Sequence, residues 1–130
     1  MSDYFNNDNN ISYIGDVPVN MNYPKPDLTY LKDMADGDEN FIREIIEIFL
    51  RNGPESLVLM REYALSGNHE KLKFVAHKLL PELTFVGILS AIPDVEKISL
   101  ESDQMNDLPI ALNRVILIIN SGIDELRKMI

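Results

Sequence analysis

From Asp27 to the C-terminus, apolar residues recur every three or four positions, the period of an α-helix with one buried face. Leu28, Leu31 and Met34 follow a capping residue at Asp27 and stop at Gly37, which predicts one short helix. Asp38 stands where a cap belongs, ahead of Phe41, Ile42, Ile45, Ile46 and Phe49 on one face of a second helix. Asn52-Gly53-Pro54 reads as a break, with Pro54 opening a further helix that carries Leu57, Met60 and Ala64. After the turn Ser66-Gly67-Asn68, the residues Leu72, Val75, Ala76, Leu79, Leu83 and Val86 form a regular buried stripe that ends at Gly87. A less regular piece interrupted by Pro93 and a polar, turn-like stretch from Asp103 to Asp107 come next. Pro109 then opens a last helix with Leu112, Val115, Ile116, Ile119, Ile123, Leu126 and Ile130 on its buried side. The expected fold is all-α: an antiparallel four-helix bundle over residues 27–130, with the additional short N-terminal helix covering one end.

Residues 1–26 break this pattern. Asn6, Asn7, Asn9, Asn10, Asn20 and Asn22, together with Pro18, Pro24 and Pro26, leave neither a helical nor a strand period, so the segment reads as a tail. Tyr4, Phe5, Tyr13 and Tyr23 are the side chains able to pin it to the domain.

Composition narrows the function. The chain has 130 residues, enough for one domain to bury a core without covalent or metal staples. It has no cysteine, which removes disulfide scaffolds, thiol catalysis and thiolate metal sites. A net charge of −9 argues against a phosphate-backbone footprint, so nucleic acid is not an expected partner. The longest aliphatic run, Val115 to Ile119, falls far short of the ~20 residues of a membrane span. No signal sequence is readable at the polar start, and the expectation is a cytoplasmic monomer without membrane insertion.

No phosphate-binding loop, nucleophile elbow or zinc-protease string is present, and the positions three before His69 and His77 are Ser66 and Phe74, so the Glu-x-x-His pairs of metal-binding bundles are lacking. His69, following Gly67-Asn68 at a helix start, reads as a solvated neighbour of a cap. His77 differs. On a helix of 100° per residue it lies about 160° from Leu79, the centre of the buried stripe, and therefore faces solvent. Glu70, Lys73 and Thr84 share its outward face, and Phe74 and Leu80 lie about 60° to either side. Large apolar side chains beside an exposed imidazole are the composition of a protein-docking site; the plainer alternative is a surface histidine near the bundle edge.

The stretch Ala76-His77-Lys78-Leu79-Leu80-Pro81, with Gly87 ten residues after the histidine, resembles the histidine-containing phosphotransfer (HPt) domains of multistep two-component signalling. Their motif reads Ala-His-x-Leu-Lys-Gly with a Gly ten after the His, and one branch has Pro in place of its first Gly. Asp27-Leu28 to Leu31, Gly37-Asp38-Glu39 to Phe41, Ile48-Phe49-Leu50 and Pro54 resemble the family's first three helices. The resemblance implies a phosphoprotein in a signal-transduction phosphorelay, with His77 as phosphoacceptor between receiver domains of response regulators or hybrid histidine kinases. It implies no cofactor of the chain's own and no independent catalytic machinery, with Mg²⁺ supplied in the partner receiver domain. Ser99 occupies an offset at which some members place a polar residue bonded to the imidazole.

One position departs from the motif. The family's Lys three residues after the His is Leu80 here, and Lys73 or Lys78 is left to replace its charge. A degenerate HPt-like module that binds receivers with little phosphotransfer is therefore the alternative. A structural bundle unrelated to signalling is a third reading, in which His77 packs against the tail or another helix. Pro81 cannot donate to the carbonyl of His77, so a kink or loosening is expected at this turn.

Overall fold

The computed structural model describes residues 23–130, together with the strands Tyr13–Ile14 and Val17–Pro18. Those two strands, β1 and β2, pair antiparallel with Tyr13 opposite Pro18 and Ile14 opposite Val17. The sequence period gave no warning of a ladder this short. Tyr4 and Phe5 lie outside the described residues, whereas Tyr23 is half-buried against the core, and burial raises the pKa of its hydroxyl.

Five α-helices follow: α1 (Thr29–Ala35), α2 (Glu39–Ser66), α3 (His69–Val86), α4 (Ile92–Glu101) and α5 (Leu108–Arg127). Asp27 starts the series, its Oδ1 accepting from the Thr29 N–H at 3.0 Å; hydrogen bonding from the Thr29 side chain first, and then from this N–H, holds its carboxyl below the usual pKa. Asp36 and Gly37, both with positive φ, turn the chain out of α1. The Asp38 carboxylate then accepts from the Phe41 N–H at 3.1 Å and caps α2. Within α1 the expectation for Met34 does not hold, since it is exposed and Ala35 takes the buried place beside Leu31.

The largest correction concerns Asn52-Gly53-Pro54, which does not break the chain. α2 is one 28-residue helix with Pro54 inside it. Its buried residues Ile46, Phe49, Gly53, Leu57 and Met60 are spaced by three or four, so the apolar phase runs unbroken through the proline. Gly53 sits beneath the Phe49 ring, where an added Cβ would lie 3.0 Å from Cζ. Burial along this continuous stripe offsets the missing bond to the Leu50 carbonyl and the crowding of the proline ring. We expect Pro54→Ala to stabilise the protein by roughly 1–2 kcal/mol, the proline penalty reduced by the entropy regained in the unfolded chain. Urea unfolding checks this, and a lower midpoint in the variant would mean that the proline is required by its packing.

Pro93 is also misplaced by the expectation of an interruption: it occupies the first turn of α4, where no N–H is needed. A 3-10 turn over Leu89–Ala91 precedes α4, and another over Ser102–Gln104 follows it.

α2 packs on α3 and α5, and α4 packs on the same two helices, so each long helix has two neighbours around one core. Arg114 of α5 grips Asp94 of α4 through two hydrogen bonds of 3.0 and 3.1 Å, which raise the guanidinium pKa. α1 lies on α2 and α3, with Tyr30 and Phe85 ring centroids 5.8 Å apart. Strand β2 lies against α5. Among the described residues no helix is long and apolar enough to cross a membrane.

Candidate functional site

α3 carries the candidate site because its two faces are separated cleanly. Asn68 caps its start by accepting from the Lys71 N–H, and Gly87 closes its end in the left-handed conformation. Between them Leu72, Val75, Ala76, Leu79, Leu83 and Val86 are all buried, the full stripe read from the sequence. His77 lies opposite and is exposed, and among the described residues it has no hydrogen bond or ion pair. Phe74, one turn earlier, is 68% exposed, a large apolar surface left in water beside the imidazole. Leu80 is half-buried and rests on the core. Lys78, Pro81 and Thr84 are exposed.

The helix is continuous through Pro81. The Thr84 hydroxyl donates to the Leu80 carbonyl at 3.2 Å, in the turn that contains the proline. Gly87 has a packing role: its carbonyl accepts from the Asp27 N–H at 2.9 Å, and an added Cβ would fall 1.9 Å from the Asp27 carbonyl oxygen. The segment entering α1 therefore crosses directly over the end of α3.

The two lysines near His77 have different surroundings. Lys73, one turn before the histidine, forms a 2.7 Å ion pair with Asp103 in the 3-10 turn after α4. That bond is the main reason the Asp103 carboxyl sits below its usual pKa. Lys78 lies on the other side, in a groove of about 380 Å³ between α3 and α2 that Phe74, Glu82, Glu55 and Leu59 also line. Glu82 has one carboxylate oxygen shielded and without a partner among the described residues. Burial raises its pKa, against the opposing effect of the Lys78 charge.

Ser99 lies in α4, its hydroxyl donating to the Glu96 carbonyl at 2.7 Å and not to His77. The histidine misread from sequence is His69. It is half-buried, with Nδ1 3.0 Å from the hydroxyl oxygen of Ser102, a side chain only 1% exposed. His69–Ser102 and Lys73–Asp103 together fasten the start of α3 to the end of α4. Asp103 opens the polar stretch read from the sequence as a turn and Ser102 precedes it, and a polar turn carries no period that would assign the partners of either.

Among the described residues no three His, Cys, Asp or Glu side chains gather as metal ligands. A larger open cavity of about 870 Å³, between α1, the start of α2 and the C-terminus, is lined by no residue of α3. Comparison of the chain with protein-family models, curated proteins and solved structures finds no match.

Proposed function

We propose that the protein is a phosphocarrier of the HPt kind, accepting a phosphoryl group on His77 from a receiver-domain aspartate and passing it to a second receiver. On this reading α2 to α5 are an antiparallel four-helix bundle with α1 as the additional short helix. The observation that carries it is the exposed imidazole of His77, without a partner among the described residues, beside the exposed ring of Phe74, on the face opposite the buried stripe. A reactive nucleophile needs access and a docking surface around it, and these residues offer both.

In the proposed step the lone pair of neutral Nε2 attacks the phosphorus of the aspartyl phosphate. The P–N bond forms as the P–O bond breaks, the aspartate leaves as a carboxylate, and Nδ1 keeps its proton. Mg²⁺ in the receiver would neutralise the phosphoryl oxygens during transfer, and His77 contributes position and nucleophilicity. The protein is a carrier with no catalytic machinery of its own, working in the cytoplasm as a monomer.

Leu80 favours the second reading, a receiver-binding module with little transfer, because it removes the family's cation one turn from His77. Incubation with a receiver domain phosphorylated on its aspartate separates the two: the carrier acquires acid-labile label, and the binding module forms the complex without it. Leu80→Lys refines this. A cation acting through water at 4 Å is worth about 1 kcal/mol, so the transfer rate at saturating receiver should rise roughly threefold to tenfold. Affinity should fall if Leu80 is a contact, since an ammonium then replaces an apolar side chain at the interface. Unchanged rate and unchanged affinity would place Leu80 outside the site.

A further inference from the structure

Resting on the phosphocarrier reading, we infer that Asp103 is a positioning residue that holds Lys73 in reserve, and that release of this lysine supplies the cation missing at Leu80. Lys73 and His77 are four residues apart on α3, the spacing at which side chains of one helical face meet. Lys73 is thus placed to reach a phosphoryl group on His77 from the turn before it, as the family's Lys would from the turn after. Its ammonium is instead bound to Asp103 at 2.7 Å. The two side chains are 32% and 44% exposed, so the pair is a surface ion pair, weak and open to exchange. A phosphoryl group carries up to two negative charges and three acceptor oxygens against the single charge of a carboxylate. As it arrives on His77 it draws Lys73 from Asp103. A protonated His69 is a second, weaker positive neighbour of Asp103 and also acts to lower its pKa, after the Lys73 hydrogen bond.

Lys78, the lysine next to His77 in the chain, has different surroundings. It lies about 100° around the helix from His77, in the groove that Glu82 lines. Lys73 is only about 40° away, so its ammonium has the shorter path once freed.

The test is a double-mutant cycle on single-turnover transfer from a phosphorylated receiver domain at saturating concentration. Asp103→Asn frees Lys73 and should raise the rate about twofold to fivefold, the range open to a surface ion pair. Lys73→Met should lower it. In the Lys73→Met background Asp103→Asn should change the rate little, because the gain passes through the lysine. An equal gain with and without Lys73 would mean that Asp103 acts only through its own negative charge, and would overturn the inference. So would an unchanged rate in Asp103→Asn with thermal midpoint retained. Asp103→Ala is the second variant, removing any residual bond from Lys73 to the Asn oxygen, and should reproduce the gain. Labelled wild type with no difference between variants rejects the role of Asp103 and leaves the carrier reading standing. If neither wild type nor Asp103→Asn takes label, the carrier reading fails and this inference falls with it.

Discussion

On the phosphocarrier reading, His77→Gln is expected to abolish phosphoryl acceptance while shifting folding stability by no more than about 0.5 kcal/mol, the range of surface substitutions away from special features. Both halves follow from one placement. The imidazole is exposed, and no bond to a described residue is lost when it is replaced. Gln keeps a polar side chain of similar reach without a ring nitrogen to attack phosphorus. Labelling from a phosphorylated receiver and thermal unfolding measure the two effects side by side. Label retained in the variant would place the acceptor elsewhere. A large fall in the midpoint would mean that His77 supports the fold.

Gly87→Ala is the second change of large effect, and it acts on stability. Gly87 has a φ of +72°, and its added Cβ would fall 1.9 Å from the carbonyl oxygen of Asp27. That neighbour is backbone, which cannot rotate aside as a side chain can. The chain entering α1 would have to move, losing the 2.9 Å bond from the Asp27 N–H to the Gly87 carbonyl. Left-handed strain adds about 1–2 kcal/mol, and with the clash a loss of roughly 2–4 kcal/mol is expected in urea unfolding. Gly67→Ala is the control: its φ is +71°, but nothing lies within 4 Å of the added Cβ, so it should lose only the strain. Equal losses at the two positions would show that Asp27 yields freely. The glycine ten residues after the histidine thus has a structural role at the end of α3.

The buried stripe of α3 is legible because six apolar positions at regular spacing on one helix have only one way to be buried, whereas Leu80, read as flanking His77 on the outward face, is half-buried against the core. The exposure of His77 followed by geometry alone. α2 was misread because Asn52-Gly53-Pro54 is strong local punctuation, yet Phe49, Gly53 and Leu57 are each four apart and keep phase across it. Counting Gly53 as a buried position would have joined the two halves. Pro93 was misread for the opposite reason, as an interruption where it begins a helix. The pairs His69–Ser102 and Lys73–Asp103 join residues some thirty positions apart, and they arise only once α4 lies beside α3. No local pattern announces such a contact.

On the phosphocarrier reading one imidazole carries phosphate, and the chain offers only two, His69 and His77. Mass-spectrometric mapping of the protein after incubation with a phosphorylated receiver, kept at alkaline pH where phosphohistidine survives, tests it most directly. We predict a single phosphoryl group on His77, which is exposed, and none on His69, which is half-buried with its ring held against the buried Ser102. Phosphate on His69, or no phosphohistidine at all, would contradict the claim.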